Sequence, residues 1–530
     1  MTVAPESRVR FATWLGFIAM CVGMFMAILD IQVVASSLPN IGKALSIPND
    51  RLSWIQTSYL IAEIVAIPLT AFMTRVLSVR WLFAGATFAF TLASIGCAAS
   101  NNFAELIVFR TIQGFFGGML IPAVFTTVFE LFPRRLHTAA TVIAGTFAMI
   151  APTIGPAFGG YLTQTYSWHA IFLVNVAPGI VVGSLVALCI RAGEPDWREL
   201  RHIDLVTIVL AAIFLASLEL LLKEGPKRDW HGEFVGALAI ICPVSFVIAV
   251  QQCLRRKKPF VDLRRFNDRS FSIACVLSFI LGMGLYSSVY LLPLFLGFVR
   301  QHMALEIGEV MIVAGIAQLI AAPIAALLEP RMNPLLMVSI GYLLFAVGLL
   351  ANAFCTIDTD FNELILPQVL RGVAIMFCIL PTTRLAMEGW PQAQIPDASA
   401  LFNLMRNLGG AIGIALVDTV VEQRAKGHAD HLVARLQAGD PDAARIVGLP
   451  TEYFHNTPMG TASDAIKAMV EPMIQRAALM LSFNEAWLLL GALFFLSLSA
   501  LSLLRPGAFT AEAYSARNEQ NRALPLLEQR

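Results

Sequence analysis

The chain has 530 residues, of which 57% are apolar and 14% charged, with a formal net charge of +1 and a mean hydropathy of +0.71. A soluble fold cannot hide that much apolar surface, and so small a net charge gives no reason to expect nucleic acid as a partner. The eight cysteines are scattered without a Cys-x-x-Cys pair, and the eight histidines fall in predicted loops or at segment ends. The expectation is therefore no disulfide scaffold, no metal site and no membrane haem.

The first apolar run follows Arg8 and Arg10 as a signal peptide would, but it is too long, contains Asp30 and lacks a cleavage site, so it reads as a retained span. Runs of about 20 apolar residues, each able to cross about 30 Å of hydrocarbon, recur along the chain. They lie near 11–36, 52–74, 81–99, 104–129, 139–164, 168–190, 203–222, 233–253, 271–297, 305–328, 334–354, 363–387, 397–421 and 484–504. The expected fold is an all-α polytopic membrane protein with 14 spans. Between the eighth and ninth spans stands the most basic stretch, with Arg255, Arg256, Lys257, Lys258, Arg264, Arg265 and Arg269. Lys and Arg concentrate in the short loops on that side, which by the positive-inside rule places both termini in the cytoplasm. Residues 422–482 then fall outside, and within them Ala462 to Leu481 has helix-like apolar spacing, the pattern of an amphipathic helix on the membrane surface.

An internal repeat turns the spans into an architecture. Ala62-Glu63-Ile64-Val65-Ala66-Ile67-Pro68 in the second span matches Ala317-Gln318-Leu319-Ile320-Ala321-Ala322-Pro323 in the tenth. Arg110-x-x-Gln113-Gly114 in the fourth matches Gln368-x-x-Arg371-Gly372 in the twelfth, with the two polar residues exchanged. The offset of eight spans predicts 6+2+6: an N-terminal six-helix bundle over 1–202, two inserted helices over 203–254, and a C-terminal six-helix bundle over 255–530 that includes the external loop 422–482.

Charges within spans are costly and face a cavity or a partner; Asp30, Glu63, Arg110, Arg371 and Arg406 qualify. Asp30 and Arg110 lie at equal depth, about 9 Å from the outer ends of their spans, and can meet. Glu63 lies about 16 Å deep in its span. A carboxyl out of water resists ionising and a nearby guanidinium favours it, so the combination suits proton coupling; a static ion pair holding two spans together is the alternative reading. The fifth span ends Ala151-Pro152-Thr153-Ile154-Gly155-Pro156-Ala157-Phe158-Gly159-Gly160. Its prolines are expected to kink the helix, and glycines four residues apart admit a close neighbour. Trp54, Tyr59, Tyr286 and Tyr290 are candidate cavity liners, with packing or interfacial roles as the alternative.

On these residues the chain resembles the major facilitator superfamily, and within it the fourteen-span drug:proton antiporters of the bacterial EmrB/QacA type. Leu29-Asp30-Ile31-Gln32-Val33-Val34 through Leu38-Pro39-Asn40-Ile41 is similar to the family's first-span signature, whose acid is Asp30. Arg110-x-x-Gln113-Gly114 is similar to its fourth-span motif, Gly155-Pro156-x-x-Gly159-Gly160 to its antiporter motif, and Trp168-His169-Ala170-Ile171-Phe172-Leu173-Val174-Asn175-Val176-Ala177-Pro178-Gly179 to the start of its sixth span. One motif departs: where members carry a Gly-x-x-x-Asp-Arg-x-Gly-Arg-type loop, this chain has Ala71-Phe72-Met73-Thr74-Arg75-Val76-Leu77-Ser78-Val79-Arg80, leaving Arg75 and Arg80 as gating candidates, with ordinary positive-inside anchoring as the equal alternative.

The resemblance implies proton-coupled efflux of amphipathic drugs or toxic compounds across the bacterial cytoplasmic (inner) membrane by alternating access. Asp30, Glu63 and Arg110 would couple protons, while Gln113, Gly114, Gly155, Pro156, Gly159, Gly160, Gln318, Arg371, Arg406, Tyr286 and Tyr290 would serve the cavity and its gating. It implies no enzyme activity and no cofactor, with the proton motive force as energy source. Implied partners are small amphipathic molecules, protons and the lipid bilayer, together with a periplasmic membrane-fusion adaptor and outer-membrane channel at the 422–482 loop. Two other readings stay open: export of one metabolite (siderophore, lipid or antibiotic), and a non-transporting receptor or scaffold, against which the buried charges argue.

Overall fold

The computed structural model describes residues 10–502, apart from 48, 192, 194, 199–203, 229, 257–261, 388–389, 392–393 and 450–463. Lys257 and Lys258 of the basic stretch, the 202/203 boundary and the centre of the 422–482 segment therefore lie outside the described residues. Within them every long element is a helix, as lipid requires when it offers no partner for backbone N–H and C=O groups.

In chain order these are α1 (Phe11–Ala44), α2 (Asn49–Ala98), α3 (Phe103–Leu131), α4 (Arg134–Thr165), α5 (Ala170–Leu173), α6 (Val176–Cys189), α7 (Leu205–Lys227) and α8 (Glu233–Arg255). There follow α9 (Arg269–Leu294), α10 (Ala304–Leu328), α11 (Pro334–Asn352), α12 (Phe361–Met387), α13 (Ile395–Gln437), α14 (Pro441–Val447) and α15 (Asp464–Ser502). Local chemistry sets several starts. Asn102 accepts the Glu105 N–H at 3.0 Å and Asp268 accepts the Phe271 N–H at 2.8 Å, each satisfying an orphan donor of a first turn. Among the described residues, twelve helical segments are long and apolar enough to cross a membrane, with Trp54–Ala98 of α2 counted as one.

Three predicted boundaries are sharpened. The spans near 52–74 and 81–99 are two helices that meet at Ser78, whose φ of 62° and ψ of 157° are not helical, so the connection within α2 is a kink at one residue. The span near 168–190 is present as Ala170–Cys189; between α5 and α6 the backbone of Val174 and Asn175 stays in the αR region, and the hydrogen-bond ladder is interrupted because Pro178 has no N–H to give the carbonyl of Val174. The external segment is largely helical. α13 continues to Gln437 and α15 begins at Asp464, and their outer arms pack with α14 through Leu432, Leu436, Val447, Val470 and Ile474. The surface-lying helix expected over Ala462 to Leu481 is thus the outer arm of a spanning helix, its apolar stripe covered by the chain's own helices.

α1 packs against α4 and α6, α2 against α3, α9 against α13, and α10 against α12 and α4. At the end of the bundle that carries Arg75, Arg135 and Arg265, called here the basic end, one apolar cluster joins residues of α1, α2 and α3 to Phe271 of α9, Leu385 of α12 and Phe402 of α13. Toward the opposite end the core separates into a cluster around Val33, Ile55 and Phe172 and another around Leu291, Leu349 and Trp487. α7 and α8 pair with each other and are peripheral, with 17% and 28% of their apolar windows buried against 78% for α3.

Candidate functional site: a buried acid–guanidinium network

Asp30 of α1 and Arg110 of α3 meet as an ion pair, Arg110 Nη1 donating to Asp30 Oδ2, with neither side chain exposed. Gln113, one turn along α3, donates from Nε2 to Asp30 Oδ1 at 3.0 Å and to Ser94 Oγ at 2.7 Å, and its Oε1 accepts Arg110 Nη1 at 2.7 Å. Asn175 supplies a further donor to Asp30 Oδ1 at 2.8 Å. The α5–α6 break places it there, since Asn175 sits in the short turn where the helix restarts. Arg110 also donates from Nε to the Ile55 carbonyl at 3.2 Å and lies over the Tyr59 ring at 4.4 Å, which leaves Nη2 as its one unpaired nitrogen. A buried pair survives only when its remaining polar atoms are matched in this way.

Glycines let α2 and α3 approach closely enough to close this network. A Cβ on Gly114 would collide with the backbone of Tyr59, and one on Gly118 would stand 2.6 Å from the Glu63 carbonyl oxygen. The contact recurs in the second repeat, where a Cβ on Gly372 would collide with the Ala314 carbonyl. Gly155 faces Gln32 of α1 in the same manner. Ser37 of α1 donates to the Gly159 carbonyl at 3.5 Å and shares a 2.6 Å hydrogen bond with Thr163. Gly160 is buried in α4. α4 runs as one element through Pro152 and Pro156; the Pro156 side chain lies outside the described residues.

The other expected residues do not join the Asp30 cluster. Glu63 is 8% exposed and interacts electrostatically with Arg110 without a hydrogen bond. Arg371, buried in α12, donates to Gln368 Oε1 at 3.0 Å and Ser288 Oγ at 2.6 Å, and no acid among the described residues pairs with it. Arg406 donates from Nε to Ser278 Oγ at 3.4 Å and lies over Phe402 at 5.0 Å and Phe125 at 5.8 Å. Tyr286 donates to Asn407 Oδ1 at 2.9 Å and Tyr290 to Asp418 Oδ1 at 2.8 Å. Gln318 reaches across to the Gly145 carbonyl of α4 at 3.5 Å.

At the basic end, Arg75 of α2 pairs with Asp397 of α13, which also takes Arg265 Nη2 at 3.1 Å. Nearby, Glu329, the C-cap of α10, accepts Thr138 Oγ1 of α4 at 3.0 Å and Arg384 Nη1 of α12 at 2.6 Å. Of the two gating candidates only Arg75 reaches the second half; Arg80 donates to the Ala187 carbonyl of α6 at 2.7 Å. A cavity of about 740 Å³ opens at this end, lined by Phe129, Arg135, Thr138, Glu329, Arg384 and Trp390, and none of these belongs to the Asp30 network. Asn175 and Ser94 are the network members that sequence reasoning missed; a proline three residues after Asn175 is the one local signal of the break.

Long apolar helices paired around small residues, with a buried acid of α1 on an arginine of α3, define a polytopic membrane fold of the transporter kind. A family model described as Major Facilitator Superfamily matches residues 20–414, and the chain belongs to this family, whose members are transporters rather than enzymes. Within it the chain is of the EmrB type. It is 38% identical over 421 residues to the colistin resistance protein EmrB of Acinetobacter baumannii, covering 79% of this chain and 82% of that one. It is 27% identical over 492 residues to the multidrug export protein EmrB of Escherichia coli K12, covering 92% and 94%. Solved structures agree on the fold. The human organic anion transporter MFSD10 has a TM-score of 0.57 at 12% identity, covering 91% of this chain and 99% of that one. The proton:xylose symporter XylE has 0.56 at 13%, covering 92% and 94%.

Proposed function

We propose that this protein exports amphipathic drugs or toxic compounds across the bacterial inner membrane in exchange for protons, by alternating access between two six-helix halves. The observation that carries the coupling is the sealed Asp30–Arg110–Gln113–Asn175 network. Protein donors occupy both oxygens of Asp30, so a proton reaches it only when α1 and α3 move apart. That links protonation to a conformational step, which is what an exchanger needs.

The halves follow the 6+2+6 division, with α7 and α8 as the inserted pair. Support comes from the glycine contact that recurs as Gly114 on Tyr59 and Gly372 on Ala314. The basic end faces the cytoplasm, with both termini, in keeping with the positive-inside rule. Arg75–Asp397 and Thr138–Glu329–Arg384 then serve as the inner gate. The outer arms of α13 and α15 offer a periplasmic membrane-fusion adaptor, and through it an outer-membrane channel, a firm surface.

Energised inside-out vesicles carrying wild type, Asp30→Asn, Glu63→Gln or Arg110→Ala test the reading with a fluorescent amphipathic dye. Each substitution is expected to abolish dye-dependent proton release. Unchanged release in all three would overturn the coupling assignment.

A further inference from the structure

α7 is the most lipid-exposed of the long helices, yet it carries Glu219 and Lys223 one turn apart within its apolar run. Neither is wasted on lipid. Ile208 and Ala211 of α7 pack against Phe72 and Val76 of α2, and Lys223 Nζ donates to Thr57 Oγ1 of α2. Residues 208, 211, 215, 219 and 223 form one i, i+3/i+4 stripe, and Leu215 on it is 3% exposed. With 208–211 opposite 72–76 and 223 opposite 57, this antiparallel register sets Glu219 opposite the turn of α2 that holds Glu63.

Glu63 itself is an unpartnered buried acid. Its side chain makes no hydrogen bond or ion pair with any described residue, although only 8% of the residue is exposed. Its oxygens are not among the fully enclosed unpaired atoms, so they face open space. The two carboxyls act on each other electrostatically. Other charged or titratable groups bearing on the pair are Lys223 on α7 itself, Tyr59 on α2, Arg110 on α3, Tyr286 on α9 and, through Tyr286, Arg406 on α13. α8 presents Cys242 to Ser217.

We propose that Glu219 is a second proton-carrying carboxyl of the transport cavity, sharing one proton with Glu63 across the α2–α7 contact, with Lys223 beside it as the counter-cation. Two carboxyls that repel each other across one helix contact hold a common proton more readily than two charges. A proton taken up by the pair as substrate leaves, and given up as substrate binds, balances the exchange. The inserted helix then belongs to the coupling machinery. This rests on the proton-exchange reading above.

The test measures proton release from the purified full-length protein in detergent as an amphipathic cationic dye, ethidium, is added across a range of pH. Wild type is expected to release in two overlapping steps, Glu219→Gln in one, and Glu219→Asp in two again. If Asp30→Asn and Glu63→Gln abolish release while Glu219→Gln keeps both steps, the assignment of Glu219 is overturned and proton exchange stands. If neither of those controls changes release, proton exchange itself fails. Should Glu219→Gln not fold, wild-type protein treated with dicyclohexylcarbodiimide decides the matter. This reagent adds to protonated carboxyls in apolar surroundings, and peptide mapping is expected to find it on Glu219 or Glu63 at about one per pair, suppressed by dye. Absence of label from both residues overturns the shared proton.

Discussion

Asn175 and Gln113 each deliver an amide N–H to the same oxygen of Asp30, so the carboxylate is held by more than its ion partner. Replacing Asn175 with Leu removes one donor from a site that water does not reach, at a cost of about 1–3 kcal/mol. Thermal unfolding of the purified variant is expected to fall accordingly, together with dye export. Gly114→Ala puts a methyl group against the Tyr59 backbone, which has no rotamer to yield; over-packing of this kind costs about 1–3 kcal/mol. Gly85→Ala, where no atom lies within 4 Å of the new carbon, is the matched control and is expected to leave stability unchanged. Asp30 and Arg110 were legible in the sequence because a charge inside an apolar run stands out and equal depth pairs the two. Asn175 was not, since a neutral amide near a predicted span end gives no such contrast until a backbone break turns it inward. Glu219 and Lys223 were hidden differently: they lie at the edge of the predicted span, where a charge looks solvated.

At the scale of elements, the gate proposed at the basic end rests on α2 and α13. Ser78 occupies a left-handed backbone conformation that favours glycine, and Arg75, one turn before it, reaches Asp397 at the start of α13. Asp397 holds two guanidinium groups, so Asp397→Asn releases both Arg75 and Arg265. Spin labels on α2 and α13 at the basic end are expected to report a wider, broader distance distribution in that variant, and an unchanged distribution would remove Arg75–Asp397 from the gate. Polar and basic residues signal a membrane boundary here, and the non-helical Ser78 parts the two predicted spans more tightly than a loop would. Arg300, after α9, ties to Asp360 at the start of α12 at 2.6 Å, and this hydrogen bond holds the Asp360 carboxyl below its ordinary value. A depressed acid contributes stability above the unfolded value of about 3.9 and loses it as pH falls through the folded value. Because Asp360 is 42% exposed, the contribution is small, under about 1 kcal/mol. The stability difference between wild type and Asp360→Asn is therefore expected to be equal at pH 7 and pH 5 and to vanish only below about pH 4.

For the whole molecule, hydropathy and the repeat made the polytopic helical fold readable, because the bilayer sets both length and apolarity of each span. The segment 422–482 was not readable on the same terms, since its helices bury alanine and leucine against each other rather than against lipid. Leu436, fully buried between the outer arms, tests their independence. Leu436→Asp is expected to expose the arms to limited proteolysis while the membrane part keeps its unfolding temperature, since the clusters around Trp487 and Val33 do not include it. α13 is one unbroken helix from Ile395, past Asp397, to Gln437, and Arg424 and His428 clamp its arm to Glu485 of α15 at 2.5 and 2.9 Å. The part beyond residue 421 extends about 24 Å at 1.5 Å per residue. In the proposed alternating-access cycle it would act as a pointer, so that a small tilt at Asp397 would become a larger sweep at the tip. A fluorophore there would follow the transport cycle without entering the cavity, and a binder seated on the tip would resist every turnover.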